Sequence, residues 1–114
     1  MMSKPFLIPL LFLLLLTSCN DIDFNSDKWK NWEETEVNMH MRWDMADDLI
    51  NNFDLIGKSK VEIVQLLGDT QIECDKGNCK VRYSLGPCRK GIDYGSLMIQ
   101  FKDGKVVHVE KHCR

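Results

Sequence analysis

The sequence has no block of basic residues. Its 15 lysines and arginines are scattered among 17 acidic residues, for a formal net charge of −2. Nucleic-acid binders concentrate cations on one face or helix, so nucleic acid is not an expected partner. Only one long apolar run is present, Phe6 to Leu16, and Pro9 interrupts it. At about eleven residues it is too short to cross roughly 30 Å of hydrocarbon. No second run follows, which argues against any membrane span. A phosphate-loop pattern is missing: "LGDT" and "GPCRKG" come no nearer than a glycine and a polar residue. There is no C-x-x-C, so the tight redox and zinc motifs are absent as well.

What is present begins with the leader. Lys4 and the amino terminus precede the apolar run, as in a secretory signal. The run ends in Leu16-Thr17-Ser18-Cys19 and not in an A-x-A cleavage site. That tetrapeptide resembles the bacterial lipobox, which implies acylation of the Cys19 thiol and cleavage just before it. Residues 1–18 are then a lipoprotein signal peptide, and 96 residues remain. Acyl chains on Cys19 would hold the chain at a membrane, each buried CH2 contributing about 0.8 kcal/mol. Asn20 follows the cysteine where an aspartate would signal retention at the inner membrane. The expected address is therefore the outer membrane, facing the periplasm.

Residues 19–38 are polar and acidic and read as a lipidated tether, extended or loosely helical. Tethers seldom carry aromatics, yet Phe24, Trp29 and Trp32 lie here. They dock either on this chain's own sheet or first helix, or on lipid headgroups or a partner. The domain proper is expected over 39–114. Met45, Leu49 and Phe53 recur at steps of four, with Ala46 and Ile50 beside them, giving one apolar helical face with Asp44 as its cap. In "LIGKSKVEIVQLLGD", Ser59 and Glu62 form a capping box. Val61, Val64 and either Leu67 or Ile63 supply the core stripe, Gly68 ends the helix and Gly57 turns the chain before it.

The period then switches to two. "QIEC" and "CKVRYSL" flank "DKGN", and "SLMIQF" and "KVVHVEK" flank Asp103-Gly104, so two hairpins are expected. The fold class is α+β, with two N-terminal helices packed on one face of an antiparallel sheet of about four strands.

Four cysteines follow Cys19: Cys74, Cys79, Cys88 and Cys113. In an oxidising compartment two disulfides are the default, with three possible connectivities. Cys74 and Cys79 bracket a short loop. Counting outward from Asp103-Gly104 sets Cys113 opposite Tyr94, close to Cys88. The favoured pairing is 74–79 with 88–113. These cysteines with His108 and His112 could instead ligate zinc, but C-x4-C is loose and the two histidines stand roughly 13 Å apart on a strand. "MHM" at Met39 to Met41 points its soft donors three ways, so copper is not expected. No cofactor and no metal are expected. Nor is an enzyme: Ser59 is a cap, Asp47 and Asp48 diverge on a helix, and His40, His108 and His112 have no evident nucleophile.

Gly57, Ser59, Glu62, Ile63, Leu66, Leu67 and Gly68, the strand "VRYSLG" and the closing "LMIQFKDGKVVHVE" together resemble the small bacterial lipoproteins of the SmpA/OmlA (BamE-like) type, within the β-lactamase-inhibitor-like fold group. The resemblance covers about Asp44 to Glu110. It implies a lipid-anchored, non-catalytic envelope module that binds protein or lipid, accessory to outer-membrane assembly or integrity. The usual proline after Leu-Leu-Gly is replaced by Asp69-Thr70-Gln71, and the four cysteines are extra. Fold analogy also implies a binder or inhibitor of a periplasmic hydrolase, or an envelope small-ligand or metal binder. Expected partner contacts are Trp29, Trp32, Trp43 and the loop from Pro87 to Tyr94 with Arg89 and Lys90.

Overall fold

The computed structural model of the chain describes residues 22–89 and 93–114. The lipobox with Cys19, and Lys90, lie outside them. Among the described residues three helices precede the strands: α1 (Ser26–Lys30), α2 (Met41–Asn52) and α3 (Lys60–Leu67). Four strands follow: β1 (Ile72–Asp75), β2 (Asn78–Pro87), β3 (Tyr94–Lys102) and β4 (Lys105–Cys113). They pair antiparallel in the order β1-β2-β3-β4. The class is α+β, with one helix more among the described residues than the two expected.

That extra helix falls inside the expected tether. Asn25 caps α1 by accepting from the Lys28 N–H, and Trp29 within it is fully buried. Phe24 is buried too, so part of the segment belongs to the fold. Both join one core cluster with Met45, Ala46 and Leu49 of α2, Ile63 and Leu67 of α3, and the inward residues of the strands.

Helix α2 starts three residues before Asp44. A turn held by Thr35 and Asn38, whose amide, hydroxyl and side-chain groups bond each other, delivers the chain to its first turn. His40 is the N-cap residue and makes no side-chain cap bond. Asp44 is thus inside the helix, where its carboxylate pairs with Arg89 instead of capping. Phe53, expected on the apolar face, is the C-cap and remains 36% exposed.

Helix α3 has the full capping box, Ser59 with Glu62, and closes on Gly68 at φ +92°. Its core stripe is Ile63 and Leu67; Val61 is 66% exposed. A capping box fixes where a helix starts but not its rotation, and the core takes the Ile63 side.

Both hairpins have two-residue turns with positive φ at each position, as a type I′ turn demands. These are Lys76-Gly77 (φ 52° and 83°) and Asp103-Gly104 (φ 52° and 82°). The first is tighter than the four-residue loop read from the sequence. Lys102 pairs with Lys105, but a bulge between Gln100 and Phe101 adds one residue to β4. Cys113 consequently lies opposite Gly95, not Tyr94. The bulge also reverses the alternation along β4. Val106 pairs with Phe101 and is buried; beyond the bulge Val109, Lys111 and Cys113 fall opposite the buried-face residues Ile99, Leu97 and Gly95.

Cys74 bonds Cys79 across the first hairpin, with Cα atoms 4.0 Å apart, and Cys88 bonds Cys113, with Cα atoms 6.1 Å apart. The first closes 5 residues and the second 25. Chain entropy alone makes these worth about 2 and about 3.5 kcal/mol. Serine replacement of both Cys88 and Cys113 should therefore lower the denaturation midpoint clearly more than replacement of Cys74 and Cys79. Urea unfolding, with each variant's own m-value used to extrapolate to water, is the measurement; an equal or reversed order would contradict it.

Candidate functional site

The tryptophans converge on the end of the sheet where β2 and β3 meet the start of α2. Gly86 and Gly95 are cross-strand partners there. A Cβ on Gly86 would approach the Trp32 ring to 3.1 Å, and one on Gly95 would approach the Trp43 ring to 2.6 Å. The two bare positions let both indoles lie directly on backbone. Trp32 Nε1 donates to the Asn38 carbonyl at 2.8 Å. The Trp43 ring is covered on its other side by Lys111, whose ammonium sits 3.8 Å from the ring centroid and donates to Asp47 at 3.0 Å.

Between Trp29 and Trp32 stands Arg42. Its guanidinium carbon lies 4.7 Å from one ring centroid and 5.0 Å from the other. Nε and Nη2 donate to the Trp29 carbonyl, and Nη1 donates to the Ser84 carbonyl. Burial lowers the Arg42 pKa from its ordinary value. The sequence contained a signal for this residue: Arg42, Met45 and Leu49 share one helical face. Arginine there reads as a polar interruption, whereas its stem and flat head fit between aromatic rings.

Each expected contact residue can now be placed. Trp29 is buried at 0% exposure and offers a partner no surface, which corrects its assignment as a contact. Its Nε1 has no acceptor among the described residues. Trp32 and Trp43 are part-buried and keep one edge at the surface. Trp32 borders a shallow groove with Asn31, Asn38 and Met41, and Val37, 97% exposed, stands beside it. Arg89 is not a free cation: it holds Asp44 with two bonds of 2.8 and 2.5 Å, and this partner raises its pKa. Lys90 lies outside the described residues.

A second groove runs along the exposed side of α2, lined by Ile22, Asp23, Asp44, Asp47, Asn51 and Arg89 among others. Phe24 N–H donates to the Asp48 carboxylate at 2.7 Å. That bond, with a further one from Asn52, holds the Asp48 pKa below the usual range. The chain therefore enters the fold beside α2.

The remaining polar chemistry is structural where it can be traced. His40 Nδ1 lies 3.0 Å from the Pro87 carbonyl, and His108 lies 4.0 Å from Glu110. Cys74, Cys79, Cys88 and Cys113 are in disulfides. Among the described residues no three His, Cys, Asp or Glu side chains converge as a metal site, and no helix is long and apolar enough to cross a membrane. The Tyr83 hydroxyl, buried under α3, donates to the Gly68 carbonyl at 2.8 Å, and burial pushes its pKa up to about 12.

No family model matches the chain, and no curated protein or solved structure is significantly similar to it.

Two outcomes test this geometry. Gly95→Ala should cost about 1–3 kcal/mol through collision with the Trp43 ring. Trp43→Leu in the same chain should recover part of that loss, a coupling that a double-mutant cycle measures. The second concerns alkali. An unfolded tyrosine releases its proton near pH 10, while folded Tyr83 holds it to about 12. Between those values the folded state binds more protons than the unfolded, so stability falls as pH rises. Tyr83→Phe should flatten that fall between pH 10 and 12. An unchanged slope in alkaline unfolding curves would refute the assignment.

Proposed function

We propose that the chain is a lipid-anchored, non-catalytic module of the bacterial envelope that acts by binding protein or lipid, in support of outer-membrane assembly or integrity. One observation carries this reading. Four of the five cysteines are consumed in two disulfides, which suit an oxidising compartment. The fifth, Cys19, ends the apolar leader run at a lipobox-like tetrapeptide. The same bridges remove the thiolates that a zinc reading would need. The resemblance to the SmpA/OmlA type supplies the process, and with it the finer fold reading, in which α2 and α3 cover one face of the sheet. The shallow groove beside Trp32 is the partner contact on this reading, with Trp43 and Arg89 at a second edge.

Cross-linking from native membranes, read together with the intact mass of the mature chain, tests the proposal. The expected outcome is an acylated chain beginning at Cys19 that recovers barrel-assembly components. Val37→Asp should lower that recovery without moving the unfolding midpoint, because Val37 is 97% exposed. An unmodified, reduced chain in the soluble fraction would overturn the reading. So would an acylated chain that captures none of these components and whose deletion leaves the envelope intact.

A further inference from the structure

We infer that the outer face of α2, with Ile22, Phe53 and Ile56, rests on the headgroup layer of a zwitterionic bilayer, and that the opposite face of the sheet points away from it. The inference rests on the proposed acylation of Cys19.

The controlling quantity is the length of the leash. Residues 19–38 read from sequence as a long tether, but Phe24 and Trp29 are core residues; Ile22 already lies beside α2, and the chain is bonded to that helix from Phe24 onward. Only Asn20 and Asp21 separate Cys19 from Ile22, and the three residue steps span at most about 10–11 Å when fully extended, or about 17–18 Å for the five steps to Phe24. The headgroup region is itself about 5–7 Å deep on each side of the hydrocarbon. An acylated Cys19 therefore keeps Ile22 within reach of the headgroups.

Where Ile22 sits fixes which face is presented. The Phe24 N–H bond to Asp48 pins the segment against α2. Met45, Ala46 and Leu49 turn that helix toward the core. At about 100° per residue, Asp44, Asp47 and Asn51 lie on its far side, and these line the groove that Ile22 enters. A helix with side chains is about 10–12 Å across. The leash is too short to pass around α2 and also let the sheet side meet the bilayer.

The surface chemistry agrees. Ile22 is 50% exposed and Ile56 is 56% exposed. Phe53 is linked to Phe24 by an edge-on ring contact at 5.0 Å. On this face Asp23, Asp44, Asp47 and Asp48 stand against Arg89, which pairs with Asp44, and Lys111, which pairs with Asp47, so the face stays net acidic. An acidic side held at a membrane selects zwitterionic headgroups, since anionic lipid attracts basic segments and repels acidic ones. Lys80, Arg82, Lys102 and Lys105 alternate onto the solvent face of the sheet and are all exposed, so the more basic side faces outward.

The test uses the full mature chain, acylated, in nanodiscs of zwitterionic lipid doped with a paramagnetic headgroup. Amides of Ile22, Asn51 and Ile56 should relax several-fold faster than those of Lys80, Arg82 and Lys102. A flexible Gly/Ser insertion after Asn20 should collapse that contrast while leaving both disulfides and the unfolding midpoint unchanged. Replacing half of the lipid by anionic lipid should weaken the enhancement at Asn51. Equal enhancement on both faces, stronger enhancement on the sheet face, or a contrast untouched by the insertion would overturn the orientation in an acylated protein. An intact mass showing unmodified Cys19 would instead overturn the anchor on which it rests.

Discussion

The guanidinium of Arg42 is the interaction on which the rest of the architecture depends. It lies between two indole faces and bonds the carbonyls of Trp29 and Ser84 at the same time. One side chain thereby joins α1, α2 and β2. Lysine could not substitute: a single ammonium cannot stack on two rings while filling two separated carbonyl sites, and it carries a tightly held hydration shell. Burial penalises the cation, as the lowered pKa records, but the carbonyl bonds and the ring quadrupoles offset that penalty. Without Arg42, the Trp29 and Ser84 carbonyls would lose their charged donors, and the N-terminal segment would keep its apolar contacts and the bonds from Phe24 N–H to Asp48 and from Ser26 to the Leu66 carbonyl.

Arg42 also solves an edge problem. β1 pairs with β2 only as far as Val81, which leaves the second half of β2 as an open edge. Thr70 donates to the Arg82 carbonyl, Arg42 to that of Ser84, and His40 meets that of Pro87. Three side chains thus replace the missing strand. On the other edge, Gly57 and Lys58 bond Val106, and beyond them Lys111 turns inward over Trp43. An inward-pointing charge is a known guard against edge-to-edge pairing. The second half of β2 and the start of β4 are thus covered, whereas the short outer strand β1, Ile72–Asp75, is exposed along its length.

Legibility in the sequence followed the range of the forces involved. Ser59 with Glu62, Asp103-Gly104 and the pairing of Cys74 with Cys79 depend on groups within a few residues of each other, and each could be read directly. Cys88 with Cys113 was reachable because a hairpin register propagates along a strand. The same count missed by one residue, since nothing in "FKDGKVVHVE" marks the bulge at Gln100. Its cause is tertiary: the alternation must reverse for Lys111 to meet Trp43 and Cys113 to meet Cys88. Asp44 was misread because its partner, Arg89, is 45 residues away. Val61 turns outward because long-range packing, not the capping box, decides which side of α3 is inner.

In the expected tether, composition and single residues pull apart, and the reason is quantitative. Composition between Asn20 and Asn38 is acidic and polar, which by average hydrophobicity favours a disordered chain. Averages hide what single residues do. One buried tryptophan removes roughly 150–250 Å² from water, and at about 25 cal/mol per Å² this contributes about 4–6 kcal/mol before ordering costs are counted. Trp29 and Phe24 suffice to hold a short segment that Arg42 and Asp48 also bond. The consequence is mechanical. A segment able by composition to let the domain swing freely is, from Phe24 onward, a fixed strap. Under the proposed lipid anchor, what the aromatics on this strap bury decides how far the domain can turn, and so which of its faces a partner can meet.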